Sequence, residues 1–389
     1  MLTNKQKFWT LVLLCLGYFI DFYDLTIMSV SYPDVIRELF GITDMTQIQQ
    51  TYLMISSFQT AGVFIGAITF GIIGDKFGRA NAIKYSILIY SLSTVAAIFT
   101  HSLPLFIALR VIAYAGLATE FSTSTVLIVE MFSNKNAARG TALLYSVGVL
   151  GGMCAIFVGI LSWKMMFICG GVGGLIIFIG RRFIKEPEIK AKLSGDNARL
   201  VSLVTNKQNV VNLLKLFLVL VPYFATITTM FIIPNYIIKT ISVSDATKSL
   251  LMGFFIGNII SSLISSLFFK HKKLFLYVSL LVFIVLSLMF NYVGEQYIML
   301  YFIGVGLIGG GYPIVQAQLN AHLFDPSVRN TANNVVYALG RASSIGFNAL
   351  IATWIIKPEV FLTYSKIMFV IVFVVAVVAI KLIRAKPIV

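Results

Sequence analysis

Acidic residues are scarce in this chain, with 15 Asp and Glu against 30 Lys and Arg in 389 residues. Charged residues of both signs make up only 12%, against roughly 25% in an average soluble domain. With 58% of residues hydrophobic, a water-soluble globular surface could not be covered, so that class is excluded. Histidine occurs three times, as His101 and His271 in loops and His322 near a helix end, which leaves no strong histidine proton relay. The three cysteines, Cys15, Cys154 and Cys169, all fall in apolar runs without metal-ligand spacing and read as small packed hydrophobes. No His-Glu-x-x-His, Ser-His-Asp or metal-spaced cluster occurs, so an enzyme is not indicated, and no cofactor is implied beyond a proton gradient. The longest polar stretch is too short to fold alone as a signalling domain.

What the chain has in abundance is long apolar runs. A spanning helix needs about 20 mainly apolar residues. Twelve such runs lie near 8–30, 47–73, 82–100, 104–131, 140–161, 163–181, 210–238, 247–269, 274–293, 297–322, 331–353 and 361–382. The expected fold class is an all-α membrane protein of twelve transmembrane helices. The first run is too long for a signal-peptide core and carries Asp21 and Asp24, so it reads as a retained span.

The net charge of +15 follows from topology. With twelve spans and the N-terminus inside, the inner segments hold 22 Lys and Arg, Arg181 among them, and the outer segments six. Only Arg110 and Arg341 remain within the membrane. That bias places both termini in the cytoplasm of an inner-membrane protein. It also accounts for the basic balance through anionic lipid, without a nucleic-acid partner.

A polar, basic stretch near 183–209 divides the runs six and six. The expected organisation is an N-terminal six-helix bundle over 1–182, a cytoplasmic linker over 183–209 and a C-terminal bundle over 210–389. Two six-helix halves of this kind are the architecture of transporters built from parallel repeats. The repeat is faint in sequence. Arg139-Gly140-Thr141 and Arg329-Asn330-Thr331 stand at matching helix starts, whereas the loop holding Asp75 has only Lys270, His271, Lys272 and Lys273 opposite it.

Gly71-Ile-Ile-Gly-Asp75-Lys-Phe-Gly78-Arg79 resembles the Gly-x-x-x-Asp-x-x-Gly-Arg loop of the major facilitator superfamily. Glycines allow close backbone approach, and Asp75 is suited to capping a helix and pairing with a base across the bundle. A narrower resemblance is to aromatic-acid/proton and related metabolite/proton symporters. It rests on Asp21-Phe-Tyr-Asp24 in span one, on Arg110, Glu120 and Glu130 at intervals of ten in span four followed by Arg139-Gly140, and on Phe324 to Thr331 followed by Gly340-Arg341. The chain departs from that pattern at Phe22, at Ala115-Gly116-Leu117-Ala118 and at Ala332. The resemblance implies a gating set of Gly71, Asp75, Gly78, Arg79, Glu130, Arg139 and Arg329.

Ionisable groups in hydrocarbon cost roughly 2.5–3.5 kcal/mol each and mark ion or substrate paths. At 1.5 Å per residue, Asp24 and Arg110 each lie about 9 Å from the outer ends of their spans, so a pair is expected. Asp21 shares a helix face with Asp24. Once Arg110 serves Asp24, Asp21 or Glu120 becomes the better group to bind and release a proton. Arg341, about 15 Å into its span, points to an anionic substrate. Tyr23, Gln59, Tyr236 and Gln316 are candidate cavity groups beside Arg110 and Arg341, although such residues more often bond neighbouring helices. The Pro234-Asn235 and Tyr312-Pro313 pairs mark kinks. The expected function is proton-coupled import of a small organic anion by a monomer. The alternatives are a proton-driven exporter of a drug- or siderophore-like compound, an anion exchanger, or a uniporter.

Overall fold

A computed structural model describes residues 2–184, 197–230, 243–289, 292–293, 297–354 and 358–383. Among them all regular structure is helical. Helix α1 (Asn4–Phe40) opens with a capping box in which Thr3 and Gln6 exchange side-chain and backbone bonds. It stops at Gly41, whose φ of 68° is left-handed and whose N–H returns to Arg37 O at 3.0 Å. Helices α2 (Met45–Phe77), α3 (Arg79–Ala97), α4 (Leu103–Leu117), α5 (Glu120–Met131), α6 (Asn134–Gly159) and α7 (Trp163–Gly180) follow. A 3₁₀ turn over Arg181–Phe183 closes α7.

Part of the stretch expected as linker is itself helical, as α8 (Asn197–Thr205). Then come α9 (Lys207–Met230), α10 (Val243–Ser265), α11 (Lys272–Met289), α12 (Ile298–Gly309), α13 (Gly311–Leu323), α14 (Arg329–Trp354) and α15 (Pro358–Leu382). Ten helical stretches among the described residues are long and apolar enough to cross a membrane. Helices α3 and α14 complete the twelve and are more polar, α3 through Ser86, Ser91, Ser93 and Thr94 and α14 through Asn330, Asn333, Asn334 and Arg341.

Two of the expected spans are broken. The fourth divides into α4 and α5 at Ala118–Thr119, and the tenth into α12 and α13 at Gly310. The second break has a plain cause: Pro313 has no N–H to return to the Gly309 carbonyl.

The chain forms two compact units. One comprises Met1–Ser133, Val147–Val201 and Asp325–Ala338, the other Asn134–Ser146, Ser202–Phe324 and Leu339–Val389. Helices α6 and α14 therefore each contribute to both. Inside the first unit Tyr23, Ile27, Phe106, Trp163 and Phe167 pack in one apolar cluster. Polar and apolar residues are distributed as lipid requires. Ile65, Ile176 and Phe99 are exposed while Asp24, Arg110 and Glu120 are fully buried.

The duplication faint in sequence is plain in packing. In the first unit Gly62 and Gly66 of α2 lie against the backbone of Val111 and Ala115 on α4. In the second, Gly257 of α10 lies against Ile303 and Gly306 of α12. Small residues four apart let helices approach at backbone distance, where lipid gives no hydrophobic push. Gly66→Leu is expected to destabilise by about 2 kcal/mol through overpacking, seen as a lowered thermal midpoint in detergent. Gly346→Ala should hold or raise stability, by up to about 1 kcal/mol, because a Cβ there meets nothing within 4 Å and Ala is the better helix former.

Candidate functional site

Three groups of charges lie in the first unit. The first joins α1, α3 and α4. Asp24 Oδ1 accepts from Arg110 Nη1 at 3.2 Å, and Oδ2 accepts from the Thr94 hydroxyl at 2.5 Å. Both charged side chains are fully buried. The Arg110 guanidinium also lies 5.1 Å from the Tyr114 ring and 5.4 Å from the Phe167 ring, within cation–π range of both. Its Nε and Nη2 are buried without a protein hydrogen-bond acceptor among the described residues. The pair expected from shared depth is present, and Thr94 is a third member that no sequence pattern marks.

The second group is built on Arg181 and Glu120. Arg181, counted from sequence among loop cations, is only 2% exposed. Its side chain turns back from the 3₁₀ turn and grips Glu120 of α5 with both terminal nitrogens, Nη1 at 2.8 Å from Oε2 and Nη2 on Oε1. Nη1 also donates to the Ile83 carbonyl of α3 at 2.5 Å. Glu120 is therefore half of a two-point ion pair. Asp21, 2% exposed, acts electrostatically on the same guanidinium. Tyr90 of α3 lies within electrostatic reach of Glu120, Asp21, Arg181 and Asp24.

The third group is built on the loop between α2 and α3. Gly78 has φ 101°, a conformation that L side chains rarely adopt, and this turns Arg79 into the start of α3. Asp75 caps α14. Its Oδ2 accepts from the Thr331 N–H at 2.7 Å and the Thr331 hydroxyl at 2.6 Å, and its Oδ1 accepts from the Asn330 N–H at 3.2 Å. Asn330 Nδ2 donates to the Gly71 carbonyl at 3.1 Å, and a Cβ at Gly74 would overlap that nitrogen. Arg79 Nη2 donates to Glu130 at 3.2 Å and to the Pro326 carbonyl at 2.8 Å, and Arg329 reaches the same Glu130 oxygen at 3.3 Å. Asn333 and Asn334 extend the seam to Ser122 and Thr123.

Six of the seven expected gating residues thus meet at one seam. Arg139 is exposed and belongs to the second unit, and within the first unit Glu130 is neutralised by Arg79 and Arg329.

The remaining expected residues are scattered. Tyr23 packs in the apolar cluster with Ile27 and Phe167. Gln59 is 3% exposed, with Nε2 lacking an acceptor among the described residues. In the second unit Gln316 donates to Asn320 at 2.9 Å. Arg341 is half-buried and acts on Tyr223. Tyr236, with Pro234 and Asn235, lies outside the described residues. The second unit also holds a polar contact that the sequence reading missed: the Tyr145 and Tyr223 hydroxyls at 3.2 Å, with Tyr145 donating to Asn258 at 3.5 Å. Among the described residues no His, Cys, Asp and Glu cluster suits a metal ion.

An all-helical membrane fold with duplicated packing and a glycine-aspartate seam defines the class. The chain belongs to the Major Facilitator Superfamily, whose pattern it matches over residues 14–346. It is 26% identical over 196 residues to a putative metabolite transport protein of Haemophilus influenzae, covering 48% of this chain and 47% of that protein. It is 29% identical over 175 residues to a benzoate transport protein of Acinetobacter baylyi, covering 42% and 36%. The matches span less than half the length of these relatives. A solved proton:xylose symporter bound to 6-bromo-6-deoxy-D-glucose superposes with a TM-score of 0.77 at 12% identity, covering 100% of this chain and 98% of that one. That likeness shows the shared fold.

Glu130→Gln should destabilise by about 3 kcal/mol, because two guanidiniums are left facing a neutral group in a largely buried seam. Arg139→Ala should stay within about 0.5 kcal/mol of wild type. Thermal unfolding in detergent separates the two.

Proposed function

We propose that the chain is a secondary transporter that imports a small organic anion, a carboxylate, together with protons by alternating access. One observation carries the anionic substrate. Arg110 spends one terminal nitrogen on Asp24 and keeps Nε and Nη2, the side-on fork of a guanidinium, without a protein acceptor among the described residues. That fork matches a carboxylate in two-point geometry, and its charge does not titrate away. The similarity to a benzoate transport protein favours an aromatic acid. Gln59, with its unpartnered amide nitrogen, and the half-buried Arg341 are the further binding groups, and Tyr23, Gln316 and Tyr236 are retained as candidates.

The buried acids Asp21, Asp24 and Glu120 form the proton-coupling set, Asp24 as the ion-pair partner of Arg110. The seam of Asp75, Arg79, Glu130 and Arg329 acts as the cytoplasmic gate. It is made of capping bonds and exchangeable ion pairs rather than apolar packing, so it can open and reform. The protein works as a monomer in the inner membrane with both termini in the cytoplasm, as its excess of inner Lys and Arg favours.

Uptake into liposomes holding the purified protein tests this reading. An inward proton gradient should drive accumulation of benzoate or a related carboxylate, and Arg110→Lys should raise KM about tenfold or more by removing the fork. Accumulation of neutral or cationic compounds only, or uptake indifferent to the gradient, would contradict it.

A further inference from the structure

In the first unit, away from the seam, three deeply buried carboxylates (Asp21, Asp24 and Glu120) stand with two deeply buried guanidiniums (Arg110 and Arg181) among the described residues. The two cations are unequally shared. Arg110 serves Asp24, whose other oxygen is held by Thr94. Arg181 serves Glu120 at two points while lying within the field of Asp21. Were all three ionised, Asp21, Glu120 and Arg181 alone would carry one excess negative charge in a low-dielectric surround, beside an Asp24–Arg110 pair that is neutral by itself.

The groups facing the cluster are Asp21 and Asp24 from α1, Tyr90 from α3, Arg110 and Tyr114 from α4, Glu120 from α5 and Arg181 from the end of α7. A staple role alone does not explain the acid excess. A single two-point Arg–Glu pair would tie α5 to the end of α7 without needing a second carboxylate on α1. The helices are also shaped around the site. A Cβ at Gly17, one turn from Asp21 on α1, would overlap both the Arg181 guanidinium and the Glu120 carboxylate.

We propose that Asp21, Glu120 and Arg181 form one proton-binding site, in which the guanidinium pairs with one carboxylate while the other carries the proton. The step is an acid–base exchange. A proton from water forms an O–H bond on the carboxylate that Arg181 leaves, and the same bond breaks to return it to water, with no change of oxidation state. Arg181 is the positioning residue, because it never holds the transferred proton and sets which acid does. Asp24 stays paired with Arg110 and is not the carrier. This deepens the transport reading and rests on it for its physiological use, though the site itself can be tested without transport.

Infrared difference spectroscopy on the purified protein, titrated across neutral pH, reads the carboxylic C=O band of a buried protonated acid directly. Wild type should show such a band. Asp21→Asn or Glu120→Gln should abolish it, Asp24→Asn should leave it, and Arg181→Lys should keep it with a displaced midpoint. Loss of the band in Asp24→Asn alone, or a midpoint indifferent to Arg181→Lys, would overturn the proposal and leave Arg181 a structural staple. If Asp21→Asn or Glu120→Gln does not fold, the Arg181→Lys midpoint still decides. The same variants in liposomes separate the two readings. With the band behaving as expected but wild-type uptake indifferent to a proton gradient, proton-coupled transport fails and the proton site stands.

Discussion

A guanidinium buried among hydrocarbon needs a carboxylate within reach, and that requirement organises the first unit. Arg110 and Arg181 are among the largest fully buried side chains of the protein, and each determines which helices must lie together. Arg110 draws α1 and α3 to α4 through Asp24 and Thr94. Arg181 draws α3 and α5 to the end of α7 through Ile83 and Glu120. Aromatic faces and small residues then close around these pairs. Buried pairs of this kind contribute little net stability compared with apolar packing of equal volume. Retaining two of them, with a third acid beside them, makes more sense for a protein that moves charge than for one that only needs to fold.

The two units share a scaffold and differ in chemistry. The glycine contacts between α2 and α4 recur between α10 and α12, and the broken fourth span has its counterpart in the broken tenth. The seam does not recur. Thr331 is held by Asp75, whereas Thr141, its sequence counterpart, accepts from Gln318 at 2.5 Å, because the loop after α10 offers lysines where the first offers an aspartate. Duplication preserved what packing needs, and the ionisable groups diverged between the units.

The sequence made the spans legible because hydrocarbon demands long apolar runs, and the Asp24–Arg110 pair because helical rise converts residue number into depth. Asp75 could be assigned a capping role from its loop, although the helix it caps lies 255 positions on, and no local pattern names it. The partner of Arg181 was not legible for a physical reason. Counting rules place a residue by its Cα, which sits at the end of α7, whereas the long arginine stem carries the charge back to Glu120. The partners of Glu130 were equally hidden, because Arg79 and Arg329 reach that carboxylate from other helices. Thr94, Tyr145 and Asn258 were invisible because a lone polar residue on an apolar helix carries no signal until the fold supplies its neighbour.

The central claim is that the buried charges are kept for transport rather than for folding, and the double variant Asp24→Asn/Arg110→Met tests it most directly. It removes both charges at once and leaves no unpaired ion behind. Thermal unfolding and gradient-driven uptake would be measured on the same preparation. The account predicts a midpoint equal to or above wild type with carboxylate uptake lost. A lowered midpoint with uptake retained would contradict it and make the pair a structural tie.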